Sequence, residues 1–177
     1  MAKRKNSGFT IIEVALVLAI AGLIFLVVFL AVPALQRNQR DDARKRDVSA
    51  VVEGVTNYTS NNNAIPGTGQ VYSIDTAFTT TNKLATYIKN MSGNIDYVVV
   101  TDTLPTALNG PVSGRTDATT AANATDAIPS INKIVVFTKA KCGASPSALP
   151  EEGSSRQAAA IVMVEGGGGT PYCQDAS

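Results

Sequence analysis

Between Val14 and Gln36 the chain carries no charged residue, and the run VALVLAIAGLIFLVVFLAVPALQ is apolar up to its last position. As a helix these 23 residues would extend about 34 Å at 1.5 Å per residue, against roughly 30 Å of bilayer hydrocarbon. A secretory signal peptide has a shorter apolar region, usually about 7 to 15 residues, ending at a small-residue cleavage site. A core helix of a soluble protein needs a polar face for water, and this run has none. It reads as a transmembrane helix.

The remainder is bounded by simple numbers. The 177 residues leave room for one domain of ordinary size. A formal net charge of +1 with 16% charged residues gives no overall field of either sign. The sequence contains no histidine, which excludes Ser-His-Asp triads, Cys-His dyads and the common histidine-based metal sites. No Gly-rich phosphate loop, EF-hand pattern or paired-carboxylate constellation stands out, so no cofactor or metal is expected.

Basic residues lie on both sides of the apolar run, Lys3, Arg4 and Lys5 before it and Arg37, Arg40, Arg44, Lys45 and Arg46 after it, so a Lys/Arg count does not orient it. Asp41, Asp42 and Asp47 interleave with the second cluster. Arg37 and Asp41, Asp41 and Lys45, and Asp42 and Arg46 are four apart, a spacing that pairs charges along a continuing helix. These aspartates and the lack of aromatics favour a salt-bridged helix face over a nucleic-acid patch. Val48, Val51, Val52, Val55 and Tyr58 follow as an apolar stripe of helical period, weakened slightly by Gly54 and closed by Pro66-Gly67. One helix from about residue 9 to about residue 62 is expected, membrane-embedded first and amphipathic after.

Glu13 lies just before the uncharged run, yet Phe9-Thr10-Ile11-Ile12 ahead of it is mostly apolar, which puts it inside the hydrophobic span. A charge at a membrane-helix centre costs about 2.5 to 3.5 kcal/mol on insertion scales, and such residues usually face a protein partner or a polar cavity. A carboxylate near the helix end can also snorkel to the headgroups or be protonated. Position alone leaves both readings open.

Lys3-Arg4-Lys5-Asn6-Ser7-Gly8, followed by Phe9-Thr10-Ile11-Ile12-Glu13 and then the long apolar helix, resembles the N-terminus of type IV pilin precursors and pseudopilins. The resemblance implies that a prepilin peptidase cuts between Gly8 and Phe9 on the cytoplasmic side and methylates the new amine at Phe9. It also implies a leader inside the cell and the residues after the helix outside. Such a cut removes Lys3, Arg4 and Lys5, leaving 12 Lys/Arg against 14 Asp/Glu. It also creates a cation that Glu13 of a neighbouring copy can pair with, making two groups costly in hydrocarbon acceptable together. Gly22 stands where the family usually has a glycine, in a stretch that often loses helicity in filaments. Pro33 comes slightly later than the family's proline, which would fall at Leu30.

From about residue 64 the composition shifts to Thr, Ala, Asn, Ser, Gly and Pro. Ile95 to Thr101, Lys133 to Lys139 and Ala158 to Glu165 are the best strand candidates, with Val71 to Ile74 weaker. A short helix is expected around Asn82 to Asn90, a surface loop over Leu104 to Ser130, and a flexible loop at Gly166 to Gly169. Cys142 and Cys173 fall on the oxidising side under the implied topology. They are expected to form a disulfide, as in the C-terminal region of pilins, the alternative being two free thiols. Asn57-Tyr58-Thr59, Asn90-Met91-Ser92 and Asn123-Ala124-Thr125 match the N-glycosylation pattern but carry no weight in a Thr/Asn-rich chain.

The expected fold class is α+β and pilin-like, with a long N-terminal helix packed on a small antiparallel β-sheet. The chain divides into a leader (1–8), a transmembrane or filament-core half of the helix (9–36), an amphipathic half (37–62) and an exported β-rich region (63–177). The function implied is a structural subunit, not an enzyme. Its partners would be other copies of itself, the prepilin peptidase, a pilus assembly platform in the cytoplasmic membrane, and membrane lipid before assembly. Nucleic acid is disfavoured. The alternatives are a pseudopilin of a type II-like secretion system or a minor pilin of a DNA-uptake or adhesive pilus. A single-pass anchored enzyme or receptor domain is more remote.

Overall fold

The structure, a computed structural model, describes residues 8–68, 70–73, 83–89, 91–105, 129–145, 148–166 and 169–176. Helix α1 runs over Ile11–Asn62, and the chain divides into two compact units, Met1–Arg37 and Asn38–Ser177.

In the first unit α1 starts at a Thr10 cap and continues through Gly22 and Pro33. Its large apolar side chains are exposed from Ile11 to Leu35, which is incompatible with a helix that builds a core within its own chain. By length and composition it can cross a membrane.

In the second unit α1 turns its valines inward. Val48, Val51, Val52 and Val55 are buried, Tyr58 packs beside them, and the Tyr58 ring meets Tyr87 edge-on at 5.8 Å. Gly54 belongs to this face because a Cβ there would stand 2.8 Å from Cγ1 and 3.2 Å from the backbone of Ile88. The helix ends where Asn63 adopts φ 55°, the left-handed conformation that stops a helix and that Asn tolerates. Arg156 donates to the Asn63 side chain at 2.7 Å.

The valine stripe belongs to the same core as one face of a five-stranded sheet. Its strands are β1 (Gln70–Ser73), β2 (Tyr97–Thr101), β3 (Lys133–Thr138), β6 (Ala158–Val164) and β7 (Thr170–Ala176), in the order β1-β2-β3-β6-β7. Val98, Val100, Ile134, Val136, Ala160 and Val162 line that face, while Val99, Val135, Phe137, Ala159 and Ile161 form a second buried cluster. Burial of both faces explains why β3 and β6 read as continuous apolar runs. Two short strands, β4 (Ala140–Lys141) and β5 (Glu151–Glu152), pair separately.

The strand candidates of the sequence correspond to β1, β2, β3 and β6 within a residue or two. The sheet is mostly antiparallel but not wholly so, because β2 and β3 pair in parallel. Residues 102–132 between them are long enough for the crossover that parallel neighbours require. Residues 169–176, near the expected Gly166 to Gly169 loop, hold β7, whose seven residues pair with β6 from Val164↔Thr170 to Ala158↔Ala176. The helix expected at 82–90 is a single 3-10 turn, Lys83–Thr86. Most of the expected loop at 104–130 lies outside the described residues.

The charges after the membrane-length run also differ from expectation. The pairings of Asp41 with Arg37 and Lys45, and of Asp42 with Arg46, give way to a buried clasp. Asp41 accepts the backbone N–H groups of Glu165 and Gly166 at 2.7 Å each and the Arg44 guanidinium at 3.0 Å. Arg44 also donates to the Ile131 carbonyl at 2.7 Å and to Glu165 at 2.8 Å, and Arg40 completes the group on Glu165. Nearby, Asp47 accepts the backbone N–H of Ser92 at 2.7 Å and its hydroxyl at 2.5 Å. Turn amides and a distant carboxylate offer charge-assisted bonds in a buried setting, stronger than the exposed pairings of a helix surface.

Candidate functional site

Of the residues singled out by the sequence, Gly8, Phe9 and Glu13 lie together at the start of α1. Gly8, Phe9 and Thr10 precede the helix and Glu13 lies in its first turn. Thr10 is the N-cap: its carbonyl accepts the Val14 N–H at 3.3 Å. Glu13 Oε2 accepts the Thr10 backbone N–H at 2.9 Å and the Thr10 hydroxyl at 2.8 Å, and the Glu13 N–H points back to the Thr10 hydroxyl at 3.4 Å. This reciprocal arrangement is a capping box, satisfying donors that a helix start leaves orphaned. The pattern Thr10-x-x-Glu13 could have been read from the sequence.

The box fixes where the carboxylate points and how much of it is used. Oε2 is engaged, whereas Oε1 accepts no hydrogen bond among the described residues. Its surroundings are apolar, with Phe9, Ile12, Val14 and Leu16 all exposed. One carboxylate oxygen on an apolar helix surface is a group that calls for a cation.

Gly8 is exposed, and a Cβ on it would meet nothing within 4 Å. Packing among the described residues therefore gives no reason for glycine there. The same holds for Gly22, which sits inside continuous helix with open space around it. Pro33 is also within the helix and, lacking an N–H, leaves the Phe29 carbonyl without its helical donor.

In the second unit Cys142 and Cys173 form a disulfide with Cα atoms 5.8 Å apart. It joins the segment after β4 to β7, and the Cys142 N–H donates to Asp175 at 2.5 Å. The Asp41-Arg44-Glu165 clasp was not found by sequence reasoning, since Glu165 stands more than 120 residues from both Asp41 and Arg44 and no local spacing joins it to them.

Neither the curated proteins nor the solved structures include a match to the chain. The family described as the prokaryotic N-terminal methylation motif matches residues 3–29, so the stretch that holds Gly8, Phe9, Glu13 and Gly22 is a type IV prepilin-like signal motif.

Proposed function

We propose that this chain is the structural subunit of an extracellular type IV pilus filament, made as a membrane-anchored precursor and polymerised through its N-terminal helix. The methylation motif at residues 3–29 carries the reading: it supports a type IV pilin-like or pseudopilin precursor and a structural rather than enzymatic role. The apolar first half of α1, exposed along its length, suits first a bilayer and then the core of a bundle of copies.

On this reading residues 1–8 are the leader, 9–36 the membrane and filament-core half, 37–62 the amphipathic half and 63–177 the exported region. Prepilin peptidase cuts between Gly8 and Phe9 and methylates Phe9. A glycine with no packing duty among the described residues fits a requirement set by the peptidase's cleft. Glu13 then offers its free oxygen to the Phe9 amine of a neighbour. Removing one partner of such a pair in dry surroundings costs about 3 to 5 kcal/mol, which ties register to assembly.

The test is the mass of the mature chain together with electron microscopy of sheared cell-surface material. A mature N-terminus at methylated Phe9 and filaments containing this chain are expected. A chain that keeps Met1, or is cut after residue 31, would sink the reading. Glu13→Ala should insert and be cleaved yet form few filaments; normal filaments from it would remove the pairing role alone.

A further inference from the structure

In the second unit α1 buries its valine face and leaves the opposite one to solvent, where Asp42, Arg46, Glu53 and Asn57 are exposed. Charge alternates along this face, acid, base, acid. The other charges nearby are engaged: Arg40, Asp41 and Arg44 in the clasp, Asp47 on Ser92, and Lys45 over the Tyr172 ring at 5.8 Å. Among the described residues Arg46 and Glu53 make no ion pair or hydrogen bond, and Asp42 has only Lys45, at 3.9 Å.

We infer that this face docks on a parallel second copy of the chain, with Arg46 of one copy paired to Asp42 of the next. The inference rests on the filament reading above and adds the contact that sets register outside the membrane-length segment. Charge complementarity carries it.

Side by side without displacement, two copies would bring Arg46 against Arg46. Advancing one copy by four residues, about 6 Å along a helix, places its Asp42 level with Arg46. The same shift leaves its Arg46 three residues, about 4.5 Å, short of Glu53, within the reach of an arginine side chain. Each Arg46 is thereby bracketed by Asp42 of one neighbour and Glu53 of the other.

Single exposed ion pairs contribute little to affinity, but one repeated at every subunit selects a register.

The test uses the full chain in cells that assemble it, read as filament yield after shearing. Arg46→Glu alone and Asp42→Arg alone should each lose most of the filament, and the two together should restore much of it. Wild-type yield from either single variant, or a double variant no better than the singles, overturns the inference and leaves the filament reading standing. Failure of the unaltered, correctly cleaved chain to form any filament overturns both.

Discussion

Arg40 grips Glu165 through two bonds, Nε to Oε1 at 3.1 Å and Nη2 to Oε2 at 2.7 Å, while Arg44 reaches the same Oε1 at 2.8 Å. The Arg40 hydrogen bonds, aided by those of Arg44 and by the charge of both, hold the Glu165 carboxyl down at about 2. The unfolded chain, with an ordinary carboxyl, binds the proton more readily. The stabilisation is therefore complete above the ordinary carboxylate range and is lost as pH falls through that range toward about 2. Thermal unfolding of the detergent-solubilised protein should show wild type losing more stability than Glu165→Gln as pH is lowered from about 6 to about 2.5. Parallel pH profiles for the two would contradict the clasp.

The capping box makes Thr10 separable from Glu13. Thr10→Val removes the hydroxyl that both donates to and accepts from Glu13, and loss of such a cap costs about 1 kcal/mol. Amide exchange at residues 11–14 in micelles should quicken in Thr10→Val and stay near wild type in Thr10→Ser. Unchanged protection in the valine variant would mean that the hydroxyl does not hold the helix start.

Gly54→Ala sets two effects against each other. Alanine in mid-helix is favoured over glycine by about 0.5 to 1 kcal/mol, but the new methyl would stand 2.8 Å from Ile88 Cγ1 and 3.2 Å from its backbone. Overpacking of this kind costs about 1 to 3 kcal/mol. Because part of the obstacle is backbone, the clash should win. Chemical denaturation should find the variant less stable by about 1 kcal/mol, and a stabilised variant would show that the helix and residue 88 separate more easily than their packing implies.

Cys142 and Cys173 lie 31 residues apart, and closing a loop of that size stabilises by roughly 3.5 kcal/mol on the chain-entropy view. The paired change Cys142→Ser with Cys173→Ser should lower the denaturation midpoint accordingly, with no change in leader cleavage. Equal midpoints for the two proteins would show the cross-link to be incidental to the stability of the second unit.

How far these features could be read from the sequence depended on the range of the interactions that make them. The run Val14 to Gln36 and the stripe Val48 to Val55 declare a helix through composition and period, both local. β3 and β6 declare themselves because residues buried on both faces leave an unbroken apolar run. β7 does not: Thr-Pro-Tyr-Cys-Gln-Asp-Ala has little strand character, and it is extended because β6 offers it seven partners. The parallel pairing of β2 with β3 was hidden in the same way, since nothing within either strand states which neighbour it meets. At the candidate site, Gly8, Phe9 and Glu13 were legible as a motif, and the Thr10 cap was legible but overlooked. The clasp was misread because spacing four suggests pairing along a helix surface, whereas Asp41 and Arg44 found better donors and acceptors in turns more than 85 residues away.

The distance in sequence between Asp41 and the turn at Glu165 and Gly166 also sets a timetable. A chain made from its N-terminus presents Asp41, Arg44 and Asp47 long before the turn that receives them, and presents Val48 to Val55 before β6 exists to cover them. The C-terminal hairpin β6–β7 closes over a short connection and can form as soon as it emerges, but the helix must wait for it. Until then the newly made chain carries an open apolar stripe and unsatisfied charges beside a membrane-length helix. Recognition of that half-finished state by chaperones or proteases would remove chains whose C-terminal strands are incomplete.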